Sequence, residues 1–387
     1  MKHSTDRILT THIGSLPRPQ DLMQASAAKD SDPTAHEATL KRAVDEVVAK
    51  QAEVGLDIVD DGEFGKPGFI HYINERLGGF EPGPPEGGPF ANSKEYRDFP
   101  EVYAALSAGT APDTTIGASH MKCTGPVTYT GHAQLQRDIH NLKAAAQGRA
   151  FSDLFMPAVS PTSVERWQSV NEYYKTQEEY LLAIAEALGE EYKLITDAGI
   201  VVQIDDPHLS MYYVMQPDIT IEETKKWAAV RVEAVNHALK KNNVPRDMVR
   251  WHTCYGIDVG PRIHDLELKH IIDMILSIDA GAFSFEGANP RHEHEYILWE
   301  DHKLPDGAVL IPGVITHSSP LIEHEELVAQ RLLRYADLVG KENLIAGADC
   351  GFGTFASMND VSAGVCWPKM EALVKGTAIA SKKLWGK

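Results

Sequence analysis

A chain of 387 residues with 43% hydrophobic side chains can bury a large core, as one big α/β domain or two smaller ones, which excludes disorder. Its net charge of -18 argues against nucleic acid or an anionic membrane surface as partner. Four cysteines do not make a disulfide framework at this length, and no apolar stretch approaches the roughly 20 residues of a membrane span, so a cytoplasmic enzyme is expected.

In chain order, short apolar runs that end in Gly, Pro or a polar residue alternate with stretches of helical period, the pattern of a parallel α/β sheet. The predicted strands are 8–15, 56–63, 115–128, 201–205, 249–254, 282–286, 309–315 and 344–350. Eight such runs predict a closed (β/α)8 barrel of TIM type, a single catalytic unit over residues 1–387. Helices are predicted at 35–54, 170–188, 220–242, 266–278 and 324–338. The third has Glu222 and Glu223 near its front and Lys240 and Lys241 at its back, which suits the helix dipole. Two segments rich in Pro or Gly, near 78–112 and 144–165, are expected to be loop insertions. The tail 378–387 reads as a frayed helix.

The ends of the predicted strands carry the chemistry. His252 and Cys254 are alternate residues and point to one face of a strand, while Thr253 points away. A lone His-x-Cys is a weak signal, because buried free cysteines are usually small core hydrophobes. Cys123 and Cys366, without chelating neighbours, are read that way. Two further strand ends, at Glu286 and Cys350, make the metal reading harder to dismiss. An imidazole and two thiolates suit Zn2+, and three protein ligands leave a position for substrate. Glu286 would be a fourth ligand or would be displaced.

In a barrel, the carboxyl ends of the strands build the active site. That rule gathers His12 to Ser15, Glu63, Asp205, Asp206 and His317 around the same ion. Glu63 and Asp205 are candidates for binding an amino group, and His317 for handling a proton. Blander readings stand beside these: an acidic turn at Asp60 to Glu63, a helix start at Asp205-Asp206-Pro207, and a loop hydrogen bond for His317. A zinc site with two thiolates is already charge-neutral, which favours activation of a substrate thiol over water.

The chain resembles the catalytic half of cobalamin-independent methionine synthase. The resemblance rests on Thr10-Thr-His-Ile-Gly-Ser15, Asp60-Asp-Gly-Glu63, Cys123-Thr-Gly-Pro-Val-Thr128, Gln203-Ile-Asp-Asp-Pro207, His252-Thr-Cys-Tyr255, Phe285-Glu286, Pro312-Gly-Val-Ile-Thr-His-Ser318 and Ala348-Asp-Cys-Gly351, in the family's order. It implies a (β/α)8 barrel with zinc on His252, Cys254, Glu286 and Cys350. It also implies a homocysteine pocket in which Ile13, Gly14 and Ser15 hold the carboxylate and Glu63 and Asp205 the amino group. His317 and Asp205 take the catalytic roles, with methyl passing to the thiol by in-line displacement. The chain is expected to be the catalytic unit alone, without the family's N-terminal barrel. Where the family places a tryptophan for its methyl-tetrahydrofolate donor, this chain has Tyr129-Thr-Gly-His132, so Tyr129 or His132 is the expected stacking residue.

The expected partners are homocysteine or another small thiol and a methyl donor, with an oligomer left open. The runner-up activity is alkyl transfer to another thiol, as in epoxyalkane:coenzyme M transferases, but a sulfonate acceptor would need basic side chains in place of Glu63 and Asp205. A decarboxylase like those acting on uroporphyrinogen would want arginines. A non-catalytic zinc barrel would need no amino-acid pocket.

Overall fold

The computed structural model describes residues 1–83, 92–109, 120–256, 260–356 and 362–386. Its centre is a parallel sheet of eight strands: β1 (Leu9–Thr10), β2 (Ile58–Val59), β5 (Asp153–Val159), β6 (Val201–Asp206), β7 (Val249–Thr253), β8 (Ala282–Phe285), β9 (Val309–Ile315) and β10 (Ile345–Ala348). The neighbours run β1-β10-β9-β8-β7-β6-β5-β2. The two end strands meet across a short seam, where the Asp57 N–H donates to the Thr10 carbonyl at 3.2 Å and the Thr11 hydroxyl to the Ile58 carbonyl at 3.1 Å. The sheet thereby rolls into the expected barrel. β6, β7, β8 and β9 are buried along their whole length, as strands lined on one side by barrel interior and on the other by helices must be.

One of the eight expected strands is misplaced. Within the predicted run 115–128, residues 115–119 lie outside the described residues. The remainder belongs to β4 (Met121–Tyr129), which pairs antiparallel with β3 (Leu77–Pro82) in a separate hairpin. The third barrel strand is instead β5, inside the segment 144–165 that was expected to be an insertion. That segment is the end of a helix, a barrel strand and the start of the next helix. Likewise 78–82 is strand, not loop, and residues 94–98 and 100–109 are helical; 84–91 and 110–112 lie outside the described residues.

The helices cover the barrel with local signals intact. Pro33–Val54 starts at Asp32, whose carboxylate accepts from the Ala35 N–H, and stops at Gly55 with φ 93°. Ile221–Lys241 opens with a capping box of Thr220 and Glu223. The predicted 170–188 helix begins later, at Gln177, because Asn171 folds 171–174 into a turn by accepting from the Tyr173 and Tyr174 N–H groups. The predicted 266–278 helix splits into a 3-10 turn, Leu268–His270, and a short helix, Ile272–Leu276. The tail belongs to a long helix, Ala363–Trp385. Among the described residues, no helix is long and apolar enough to cross a membrane.

One buried charge of the barrel supports the turn at its active face. Arg250 is 1% exposed and packs its guanidinium 3.9 Å from the centre of the Phe155 ring. It donates to the Thr11 hydroxyl at 3.1 Å and the His12 carbonyl at 2.6 Å, which fixes the chain just before Gly14 and Ser15. Burial lowers its pKa to about 10, against the pull of Asp205, Asp60 and Asp153.

Candidate metal centre and adjoining cavity

His252 lies in β7, and Cys254 follows one residue beyond the strand's end with its N–H still directed at the Asp206 carbonyl, at 3.4 Å. The strand alternation therefore persists, and both side chains face the barrel mouth while Thr253 accepts from the Trp251 indole on the other face. Cys350 follows β10. The ligand atoms of His252, Cys254 and Cys350 lie within 4.8 Å of one another, and the two sulfurs are 3.2 Å apart.

The donor set fits a zinc ion. His252 Nδ1 sits 3.2 Å from the Ser284 hydroxyl, one strand away in register, while the buried Nε2 has no hydrogen-bond partner among the described residues. A buried ring nitrogen without a partner is costly unless something coordinates it. Burial holds the ring neutral, with its pKa near 3, so Nε2 offers a lone pair. The contact with Cys350, followed by burial, pushes the Cys254 thiol up, the behaviour of two sulfurs crowded together without a cation.

Glu286 is close but otherwise engaged. Its Oε1 lies 3.7 Å from Cys254 Sγ and accepts from the Tyr255 N–H at 2.9 Å. Its Oε2 faces Arg262 at 3.2 Å and the Asn289 amide at 2.7 Å. Burial would raise its pKa, but Arg262, His317 and His292 outweigh it and bring the value to about 2. Asp349 fastens the same loop by accepting from the Gly287 and Ala288 N–H groups at 2.7 and 2.8 Å.

A cavity of about 110 Å³ opens beside the three ligands, lined by Ile13, Ser15, Glu63 and Asp205 among others. Glu63 arrives through a tight acidic turn. Asp60 accepts from the Gly62 N–H and Asp61 from that of Glu63, so these two acids shape the backbone and do not reach the cavity. Glu63 itself has φ 59°, a strained setting for a long side chain. Arg18 secures it by donating to its carbonyl at 3.0 Å. Burial and the nearby Glu63 push the Asp205 carboxyl well above its ordinary pKa, and Gln203 donates to it at 2.7 Å. Lys66, 3.4 Å from Glu63, offsets part of this repulsion. Asp206 instead caps the next helix by accepting from Leu209 N–H, so the helix-start reading holds for that residue.

Gly14 does not line the cavity but permits its shape. Its φ is 135°, and a Cβ there would meet Pro157 at 2.5 Å and Glu63 at 3.0 Å. His12 holds this turn, accepting from the Gly14 N–H at Nδ1 while Nε2 bonds Gln51 at 2.8 Å. His317 is 3% exposed and feels the charges of Glu286 and Asp349, yet it is not part of the cavity wall. Tyr129 and His132 also stand away from the wall: Tyr129 is buried beside Arg76, and His132 pairs at 3.7 Å with Glu190. The aromatic side chains that do line it are Phe69, Trp167 and Phe355, with His208 and Met211. Sequence reasoning missed these, along with Ser284 and Arg262. Ser284 alone had a legible signal, the alternation in Ala282-Phe-Ser-Phe-Glu286.

A profile of the family described as cobalamin-independent synthase, catalytic domain, matches residues 8–88 and 158–363. Cys123 to Thr128 fall in the unmatched interval, consistent with their place in the hairpin. A protein named methionine synthase from Sulfolobus acidocaldarius is 25% identical over 380 residues, covering 97% of this chain and 93% of its own. Another of that name from Saccharolobus islandicus is 27% identical over 387 residues, 97% and 95% of the two chains. A 5-methyltetrahydropteroyltriglutamate--homocysteine methyltransferase from Bifidobacterium longum is 25% identical over 97% of this chain, but only 43% of its own length is covered. The solved structure of a B12-independent methionine synthase from Shewanella sp. W3-18-1, in complex with selenomethionine, superimposes with a TM-score of 0.73 at 20% identity, covering 98% of this chain and all of the other, and so shares the fold. With the profile covering most of its length, this chain belongs to the cobalamin-independent synthase catalytic-domain family.

Proposed function

We propose that this protein transfers a methyl group to the thiol of homocysteine to form methionine, using Zn2+ held by His252, Cys254 and Cys350. The observation that carries the reading is the convergence of these three ligands at a cavity that also presents Glu63 and Asp205. The names of the relatives support it. Zinc, when bound, would lower the pKa of the acceptor thiol and keep it nucleophilic at neutral pH.

The chain's own residues do the rest. Ser284 orients His252 so that Nε2 faces the site. Ile13 and Ser15, on the cavity wall, offer backbone and hydroxyl groups to the amino-acid carboxylate, Gly14 permits the turn between them, and Glu63 and Asp205 receive the ammonium. Arg262 and Asn289 engage Glu286, which supports its role as a reserve ligand that leaves room for substrate sulfur. His317, buried beside Glu286 and Asp349, is the candidate to relay a proton. No lysine or arginine lines the cavity among the described residues, so a sulfonate acceptor such as coenzyme M finds no partner. Four free cysteines suit a reducing cytoplasm.

The test is methionine formation by zinc-loaded protein from homocysteine and several methyl donors, followed by mass spectrometry. Methionine with any donor supports the reading. Alkylation only of other thiols contradicts it.

A further inference from the structure

From the lining of the donor side of the cavity we infer that the methyl donor is a small onium cation, a methylsulfonium or methylammonium compound, seated against Phe69, Trp167 and Phe355. This assignment rests on the methyl-transfer reading above and names its second substrate.

The cavity that reaches the three metal ligands continues to these aromatic side chains, with Met211 and Pro207 alongside. The rings form a connected row: Phe69 to Phe355 is 5.7 Å between centroids, Phe355 to His71 5.1 Å, and His71 to Trp167 5.4 Å. The faces of such rings attract cations, and aromatic side chains recognise methylated onium groups. The charged side chains on the wall are both acids, Glu63 and Asp205.

The cations nearby are committed elsewhere. Lys66 donates to the Pro157 carbonyl at 2.6 Å and pairs with Glu63 at 3.4 Å. Arg18 donates to the carbonyls of Gly353, Glu63 and Lys66. Arg262 is held by Asp265 and Glu286, and Arg166, behind His208, packs over the Tyr212 ring. The chain segments 84–91, 110–119, 257–259 and 357–361 contain no lysine or arginine at all. A donor with a chain of carboxylates would therefore enter an acidic, aromatic cavity with no lysine or arginine on its wall among the described residues. The volume of about 110 Å³ is also below the roughly 300–1,000 Å³ of cavities that enclose drug-sized ligands.

The chemistry of transfer points the same way. The acceptor thiol first loses its proton to solvent. Its sulfur then forms a bond to the methyl carbon as the bond from that carbon to the onium centre breaks, and the pair stays with the departing atom. The leaving group is a neutral thioether or amine, so its departure needs no acid, and a proton relay through His317 would serve the acceptor thiol alone. Anion and cation become two neutral molecules, a change that an apolar cavity favours.

The experiment offers zinc-loaded protein and homocysteine three donors in parallel: trimethylsulfonium, tetramethylammonium, and methyl-tetrahydrofolate carrying three glutamates. Methionine is read by mass spectrometry, onium binding by calorimetry, and thiol ligation by zinc-edge absorption. Methionine from one onium donor at least tenfold faster than from the folate is expected, and the faster onium identifies the donor class. Onium affinity should fall about tenfold in Phe355→Leu and Trp167→Leu and be largely kept in Trp167→Phe, with thiol ligation unchanged. Equal or faster turnover of the folate, or no onium binding while the thiol still ligates zinc, overturns the donor assignment and leaves the homocysteine reading intact. Failure of the thiol to ligate overturns the reading beneath it.

Discussion

Arg262 approaches Glu286 to 3.2 Å from one side of the carboxylate while Cys254 lies 3.7 Å from the other. Glu286 thus stands between a permanent cation and the candidate metal site. Arg262 is 5% exposed and has φ 56°, so the fold accepts backbone strain to keep it there. Replacing it with Met leaves a buried carboxylate without its partner. The expected loss in metal-free protein is about 3–5 kcal/mol, measured by chemical denaturation. Zinc should restore part of that loss in Arg262→Met, because Glu286 is then free to ligate. A variant as stable as the wild type without metal would show that the pair has no such role.

Ser284 is predicted to govern metal affinity through His252. Ser284→Ala removes the partner of Nδ1, so the imidazole loses its fixed orientation and tautomer. Zinc affinity should fall about 10–100-fold in competition with a chelator. The protein's stability without metal should change little, since a serine hydroxyl is small. Unchanged affinity would detach Ser284 from the site.

Glu63 and Asp205 are predicted to act on substrate, not on the ion. In Glu63→Gln and Asp205→Asn, KM for homocysteine should rise about 10–100-fold, as expected for loss of a charge-assisted hydrogen bond of about 1.5–3 kcal/mol. Zinc content should remain as in the wild type. Loss of zinc in either variant would contradict the division of labour.

A pH dependence follows from His292, which stacks on Tyr255 at 3.9 Å and lies between Glu295 at 2.8 Å and Asp265 at 3.0 Å. Burial would depress its pKa, but the hydrogen bonds to Asp265 and Glu295 outweigh it and raise the value to about 9. A raised folded-state pKa means that the protonated ring stabilises the fold fully below pH 6.5 and that this contribution is lost as pH rises through about 9. The stability advantage of the wild type over His292→Phe should be larger at pH 6 than at pH 10, by on the order of 3 kcal/mol. A difference that grows with pH would have the wrong sign.

The sequence made the strand ends legible because buried parallel strands are continuous apolar runs, and their last residues stand out by polarity. His252, Cys254 and Cys350 were readable for that reason. β5 was not, because Pro157 sits in its middle and proline argues against a central strand. The structure tolerates it because the Pro157 carbonyl turns to Lys66, beyond the point where the ladder with β2 ends at Val59 and Leu154. The β3–β4 hairpin escaped because its first strand contains Gly78 and Gly79, while an apolar run alone does not tell a barrel strand from a hairpin strand. Trp167, Phe69 and Phe355 come from three separate segments, and nothing local marks them as neighbours.

The most direct measurement is zinc-edge X-ray absorption on the purified protein with and without homocysteine, repeated on Cys350→Ser. The wild type should hold about one zinc in a nitrogen and sulfur environment that gains a sulfur neighbour when homocysteine is added, and Cys350→Ser should lose the metal. Zinc retained by Cys350→Ser, or a wild-type spectrum indifferent to homocysteine, would contradict the account.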